Sequence, residues 1–195
     1  MVTVQKGLPA ALRWRGARLY WEAFGAKLGR VLGPEDRALA FFDRVMRGDH
    51  CVIALDTSGA LLGLAGFKTV EGSFAGGTWA DLRAVYGQFG GLWRGASLWA
   101  LSREVDNDRF LMDGLCVTAS ARGQGVGTAL VQAICDEALV RGYPSVRLDV
   151  VDTNVRARQL YERAGFVATR TQRLGLLRYL FGFTATITMV LPLRS

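Results

Sequence analysis

Apolar residues recur at helical spacing near the start of the chain, between Leu8 and Leu32, which predicts a long amphipathic helix there. A second helix is predicted from Pro34, a residue suited to the first turn of a helix, to Gly48. Residues 2–5 precede both helices as a short candidate strand. The chain is therefore expected to open mainly with helices.

The pattern then changes to that of a β-hairpin. Apolar runs over Cys51–Leu55 and Leu61–Val70 are joined by a turn-forming segment at 56–59. The next stretch is bracketed by glycines and predicts a helical insertion around residues 79–105, consisting of one or two helices. Gly90-Gly91 is the expected break within it.

Strands and helices alternate through the rest of the chain. The predicted elements are a strand at Phe110–Val117, a helix at Thr128–Arg141, a strand at Val146–Val151, a helix at Val155–Ala164, and a final strand pair around Val167–Thr171 and Thr184–Leu191. This order predicts an α/β protein with a mixed sheet in a three-layer arrangement. With 195 residues, a single domain over 1–195 is expected.

Composition and charge narrow the range of functions. Half of the residues are hydrophobic and 21% are charged, which excludes a disordered chain. The net charge of +7 permits an anionic partner, but the arginines are scattered and no nucleic-acid-binding motif accompanies them. A solvated basic surface is therefore expected, with no nucleic acid as the main partner.

Histidine and cysteine are too sparse for several kinds of site. His50 is the single histidine, so a multi-histidine metal site is impossible and no metal is expected. Cys51, Cys116 and Cys135 are odd in number and lie far apart, which favours neither a disulfide framework nor a zinc site. A reducing, cytoplasmic location fits this cysteine usage best.

Two apolar tracts lack the features of a membrane span or an export signal. The N-terminal tract is interrupted by Arg13, Arg15 and Arg18, and we find no secretion signal in it. The tract from Leu174 to Leu193 contains Arg178 and is interpreted as a hairpin. No membrane association is therefore expected.

A glycine-rich turn between a strand and a helix is the most informative motif. Its residues are Arg122, Gly123, Gln124, Gly125, Val126, Gly127 and Thr128. Glycines let a ligand approach main-chain N–H groups, and the first turn of a helix offers unpaired donors at the positive end of its dipole. The turn therefore predicts a phosphate-binding site.

The loop lacks the features of two common phosphate sites. Read as a dinucleotide-binding loop from Gly123, its third glycine position is Thr128, and Asp149 falls inside the next strand rather than at its end. An ATP-binding loop needs a lysine, and none follows Lys68.

Arg-x-x-Gly-x-Gly in this position resembles the pyrophosphate loop of the GCN5-related N-acetyltransferases (GNAT). The resemblance continues through the strand at 146–151, Asn154, Tyr161 and the Gly165-Phe166 pair. It implies a GNAT-like fold with a central, mostly antiparallel sheet flanked by helices, and acetyl-CoA as co-substrate. Two features depart from the family pattern. Ala119-Ser120 stands in place of a proline-containing turn, and the segment 71–109 is longer than a simple strand connection.

The resemblance also implies roles for individual residues. Main-chain groups of Leu115, Cys116 and Val117 would hold the pantetheine, and Asn154 would lie beside the coenzyme. Tyr161 would stabilise the leaving thiolate. Asn154 is equally suited to cap a helix, and Tyr161 to be a core aromatic residue.

The amine acceptor must lose a proton at a cost of about 5 kcal/mol at pH 7. Asp113 and Asp149 lie on the two strands that would flank the thioester, and each is a candidate proton acceptor or an arginine partner. The segment with Glu104, Asp106 and Asp108 supplies further options. Acetyl transfer through Cys116 is disfavoured, because no base can be assigned beside it.

The resulting hypothesis is an N-acetyltransferase that moves the acetyl group of acetyl-CoA to a small-molecule or peptide amine by direct attack. The alternative is a non-catalytic acyl-CoA sensor. Aromatic residues in the middle segment (Trp79, Trp93 and Trp99) and the segment 174–183 fit an acceptor site, a homodimer interface or ordinary core.

Overall fold

A mixed sheet forms the middle of the molecule, which is described by a computed structural model over residues 2–101 and 109–193. In these residues the sheet has eight strands: β1 Thr3–Lys6, β2 Cys51–Leu55, β3 Leu61–Thr69, β4 Gly72–Ser73, β5 Phe110–Val117, β6 Ser145–Val151, β7 Val167–Arg173 and β8 Ala185–Pro192. Their order is β1-β2-β3-β5-β6-β8-β7, with the short β4 paired to β3. Only the β5–β6 pairing among them is parallel.

Helices cover both faces of this sheet. The helices are α1 Arg13–Leu32, α2 Glu35–Val45, α3 Trp79–Leu101, α4 Val126–Val140, α5 Val155–Arg163 and α6 Arg178–Phe181. Helices α1, α2, α3 and α6 enclose one hydrophobic cluster, and α4 and α5 enclose a second on the opposite face. The three-layer α/β prediction is therefore confirmed.

Several predicted boundaries are wrong by a few residues. The first helix begins at Arg13, because residues 10–12 form a 3-10 turn, and the second ends at Val45 rather than Gly48. The break in the insertion lies at Gly87, whose φ of 75° is non-helical, and not at Gly90-Gly91. Residues 102–105 of the predicted insertion lie outside the described residues.

The apolar tract at 174–193 is not a simple hairpin. It contains a 3-10 turn and the short helix α6, and then strand β8, which pairs with both β6 and β7. No helix of the described ranges is long and apolar enough to cross a membrane.

Strand β5 contains a β-bulge at Asp113. Gly114 pairs with Gly66 of β3, and Met112 pairs with the next residue of that strand, Phe67. Asp113 therefore has no partner residue on β3. The extra residue reverses the alternation of the strand. Phe110 and Met112 belong to the cluster under α4, whereas Cys116 belongs to the cluster under α1.

The two parallel strands separate immediately after this point. Their register runs from Phe110 opposite Val146 to Met112 opposite Leu148 and then ends. Beyond it, β5 stays paired with β3 as far as Val117, while β6 stays paired with β8. A gap therefore opens in the middle of the sheet.

Candidate active site

The gap between β5 and β6 opens into a cleft with a volume of about 1820 Å³. Most residues expected at the site line it: Asp113, Leu115, Cys116, Val117, Arg122, Gly123, Gly125, Gly127, Thr128, Asp149, Asn154 and Tyr161. Two side chains of the loop lie elsewhere. Gln124 donates to the Ser120 carbonyl at 2.7 Å, and Val126 is buried in the core.

The glycine loop ends at the N-terminus of α4. Gly125 precedes the helix with a φ of 81°, in the left-handed region that favours glycine. The first intrahelical bond runs from the Ala129 N–H to the Gly125 carbonyl, at 3.0 Å. The N–H groups of residues 126–128 therefore have no acceptor within the helix, and they provide an anion-binding site at the positive end of its dipole.

Helices α4 and α5 approach each other closely beside this loop. A Cβ atom on Gly127 would lie 3.1 Å from a methyl group of Leu160, so only glycine fits without displacing that side chain. Asn154 begins α5 and accepts from the Ala157 N–H at 3.3 Å. It is thus a helix cap that also lines the cleft.

Arginines line the same end of the cleft. Arg122 donates from Nε to the Val117 carbonyl at 3.2 Å, and Arg156 and Arg163 also line the cleft. Arg158 is not a lining residue, and it forms an ion pair with Glu162 at 2.8 Å. Sequence reasoning did not single out Arg163, because its position depends on how α5 packs.

Tyr161 projects from α5 into the wall of the cleft with only 6% of its surface exposed. Its ring packs against Phe166 at a centroid distance of 5.9 Å. Burial, and to a lesser extent the neighbouring Cys116, raises the pKa of Tyr161 well above its usual value. Its hydroxyl makes no hydrogen bond within the described ranges, so a protonated phenol is available to donate one.

Cys116 is buried beside Tyr161. It is 3% exposed, and burial raises the pKa of its thiol above the ordinary value of 9.0. A nucleophilic cysteine requires a lowered pKa and some exposure. The environment of Cys116 therefore provides neither condition for covalent catalysis.

The two candidate carboxylates have different partners. Asp149 accepts from the Thr188 hydroxyl at 2.5 Å and from Arg147 Nη2 at 3.3 Å, so both of its oxygens are used. Asp113 lies on the bulge and accepts from the Ser73 hydroxyl at 2.7 Å through Oδ2. In the described part of the chain, Asp113 Oδ1 has no hydrogen-bond partner.

Two aromatic residues of α1 close the cleft above the bulge, and sequence reasoning gave neither a role in the site. The rings of Tyr20 and Phe24 lie 4.4 Å apart. A Cβ atom on Gly114 would lie 3.1 Å from Phe24 and 3.3 Å from Tyr20. The absence of a side chain at Gly114 therefore lets both rings reach the strand.

The three tryptophans for which an acceptor site, a dimer interface and ordinary core were all open do not line the cleft. Trp79, Trp93 and Trp99 are between 43% and 63% exposed on α3. From the segment 174–183, Phe183 does line the cleft. The candidates Glu104, Asp106 and Asp108 lie outside the described residues.

A sheet that divides between two parallel strands, with an anion-binding helix end at the division, is the layout of a coenzyme A-dependent acetyltransferase. The chain belongs to the Acetyltransferase (GNAT) family, whose family model matches residues 15–166. Enzymes of this family use acetyl-CoA as co-substrate.

Solved structures share the fold over nearly the whole chain. A GCN5-related N-acetyltransferase from Kribbella flavida is 20% identical, with a TM-score of 0.66 and 98% of each chain covered. An N-acetyltransferase from Staphylococcus aureus Mu50 is 14% identical, with a TM-score of 0.64, and 97% of this chain and 100% of that chain are covered.

A curated relative matches a shorter stretch. The thialysine N-ε-acetyltransferase of Bos taurus is 35% identical over 54 residues, which are 28% of this chain and 32% of the relative. The chain thus spans about a third of that relative's length.

Proposed function

We propose that this chain transfers the acetyl group of acetyl-CoA to a primary amine of a small molecule or peptide by direct attack within a ternary complex. The observation that carries the proposal is the gap between β5 and β6. One cleft joins the anion-binding loop at 122–128 to the carboxylates Asp113 and Asp149, with Tyr161 in its wall.

Each end of the gap has a role in this reaction. The N–H groups that open α4 hold the pyrophosphate, with Arg122 nearby. The β6-facing edge of Leu115–Val117, which has no ladder partner in the described sheet, holds the pantetheine and directs the thioester toward the bulge.

Tyr161 acts on the leaving group. A thiol has a pKa near 8.5 and a phenol near 10, so full proton transfer to the thiolate is uphill by roughly 2 kcal/mol for the free groups. It is further uphill for Tyr161, whose pKa is raised by burial. The phenol therefore donates a hydrogen bond that strengthens as charge develops on sulfur. The buried thiol of Cys116 favours direct attack over an acetyl-cysteine intermediate.

Asp113 is the better supported proton acceptor for the attacking amine. One of its oxygens is available at the bulge, whereas Asp149 already accepts from Thr188 and Arg147. Asp149 then orders the polar groups beside the acceptor.

The test is thiol release from acetyl-CoA across a panel of primary amines, with the N-acetyl product identified by mass spectrometry. We expect amine-dependent release and intersecting initial-velocity patterns, the signature of a ternary complex. Parallel patterns would refute direct attack. Binding of acetyl-CoA without turnover of any amine would instead support the sensor alternative.

A further inference from the structure

Lysine is rare in this chain, and two of its three lysines line the cleft. Lys6 pairs with Glu137 at 2.6 Å, far from the site. Lys27 on α1 and Lys68 on β3 both belong to the cleft wall. The cleft wall therefore holds two of the three lysine ammonium groups of the chain.

Lys27 occupies an apolar environment. Its Nζ lies 5.7 Å from the centroid of the Phe24 ring, and Leu28 lines the cleft next to it. In residues 2–101 and 109–193 no carboxylate lies within ion-pair distance of this Nζ. Burial accordingly lowers the pKa of Lys27 with no opposing contribution from an acid.

A half-buried ammonium group without an anion is unfavourable, because it has lost hydration and gained only a ring contact. A ligand that brings a negative charge would compensate the ammonium group for its lost hydration. Tyr20, Phe24 and Lys27 all line the cleft, so a ligand bound in it can reach the ammonium group.

The position of Lys27 fixes where that charge must lie. The Phe24 ring lies beside Lys27 and reaches Gly114 of the strand. It packs at a tilt of 42° against Tyr20, whose pKa is raised by burial and then by the nearby Asp113. An ammonium group for an anion and a carboxylate for the amine thus lie beside the same pair of rings, Lys27 next to Phe24 and Asp113 near Tyr20. An acceptor with its own opposite charges at its two ends matches this arrangement.

We propose that the acceptor is an amine that also carries a carboxylate, and that Lys27 binds this carboxylate across the Tyr20 and Phe24 rings. The inference rests on the proposed function, since it names the substrate class of that site. A single ammonium matches a monoanion, whereas a phosphate dianion is usually bound by several donors or by an arginine fork.

The first experiment measures binding without turnover. Affinity for 4-propylbenzoate, an aromatic carboxylate with no amine, is measured calorimetrically with the enzyme saturated with CoA. We expect Lys27→Met to weaken binding at least about ten-fold, a loss of about 1.4 kcal/mol, and Lys27→Arg to restore most of it. Lys6→Met, outside the cleft, is the matched control and should bind as the wild type does, and Lys68→Met tests whether the other lysine of the cleft wall holds the carboxylate instead.

The second experiment measures selectivity. We expect the wild type to prefer 4-(2-aminoethyl)benzoate over its methyl ester and over phenethylamine by at least about ten-fold in kcat/KM, and Lys27→Met to abolish this preference chiefly through KM.

The outcomes separate this inference from the proposed function. Equal binding of 4-propylbenzoate by wild type and Lys27→Met, loss of binding only in Lys68→Met, or tighter binding of the corresponding phosphonate would overturn the assignment of a carboxylate to Lys27. Lys27-dependent binding with no acetylation of any amine would leave the assignment in place and refute the proposed transfer.

Discussion

Asp113 and Asp149 each directly follow the last residue pair that joins β5 to β6, which is Met112 with Leu148. They therefore stand on either side of the point where the sheet divides. Their hydrogen bonds differ, since Asp149 is held by Thr188 and Arg147, while Ser73 is the one described residue that holds Asp113. Neighbouring carboxylates thus have unequal freedom to accept a proton.

This difference predicts unequal effects of the two amide substitutions. Asp113→Asn should lower kcat about ten-fold or more with little change in the KM for acetyl-CoA, because it removes the accepting oxygen. Asp149→Asn should lower kcat less and reduce thermal stability, because Arg147 loses one charged partner. Steady-state kinetics and thermal unfolding of both variants provide the measurement, and the reverse order of effects on kcat would assign the proton acceptor to Asp149.

Tyr161→Phe should lower kcat about ten-fold or more while acetyl-CoA binds with nearly unchanged affinity, because the lost hydrogen bond forms mainly in the transition state. Tyr143→Phe is a matched control, since Tyr143 packs on Phe110 outside the cleft. Turnover and coenzyme affinity are measured for both. Unchanged turnover in Tyr161→Phe would remove this residue from the mechanism.

The raised pKa of Tyr161 also predicts how the effect of Tyr161→Phe on turnover depends on pH. Because burial raises that pKa above 10.0, the phenol stays protonated through pH 10 and loses its proton only above it. The defect of Tyr161→Phe relative to wild type should therefore be constant from pH 7 to pH 10. A defect that disappears between pH 8 and pH 10 would show that the phenol ionises normally.

Helix α4 offers a matched pair of glycines for testing the anion site. Gly125 precedes the helix with a φ of 81° and Gly142 follows it with a φ of 79°, and neither would bring a Cβ atom within 4 Å of another group. Alanine at either position should cost about 1–2 kcal/mol of unfolding free energy. Only Gly125→Ala should also weaken acetyl-CoA binding, as measured by calorimetry; equal affinity in the two variants would place the pyrophosphate elsewhere.

Asp81 stabilises the start of α3 and joins it to α2. Its carboxylate accepts from the Thr78 hydroxyl at 2.7 Å, from the Thr78 N–H at 3.0 Å and from Arg44 at 2.7 Å. These interactions, those with Thr78 first, hold the pKa of Asp81 below its ordinary value of 3.8.

A carboxyl group whose pKa is lower in the folded chain than in the unfolded chain stabilises the fold at pH values above its ordinary pKa. This stabilisation is lost as the pH falls through the lowered pKa of the folded chain. Asp81→Asn should therefore reduce the free energy of unfolding by about 1 kcal/mol at pH 7. The difference from wild type should shrink below pH 4. Urea unfolding at several pH values measures it, and a difference independent of pH would exclude the charged interaction as its cause.

Local sequence determined which parts of the site could be predicted. The glycine loop, the Asn154 cap and the outward position of Asp149 follow from short motifs and from strand alternation, and all lie within one stretch of chain. Tyr20, Phe24 and Lys27 reach the cleft only because α1 packs over β5, about 90 residues further along the chain. No local pattern marks such a contact.

The bulge at Asp113 was also missed, although a signal was present. A glycine inside a strand often marks a bulge, and Gly114 lies within the predicted strand 110–117. Strict alternation through that strand would have placed Cys116 on the same face as Met112. The structure places these two residues in different clusters.

The extra residue in β5 can be removed without turning over the rest of the strand. Deleting Asp113 would return the strand to simple alternation and leave Leu115, Cys116 and Val117 facing the layers they now face, because the bulge adds one residue that has no partner on β3. Both halves of the core would then keep their packing, whereas the carboxylate at the division of the sheet would be lost. A chain shortened by this one residue should therefore still fold, but without its proposed proton acceptor.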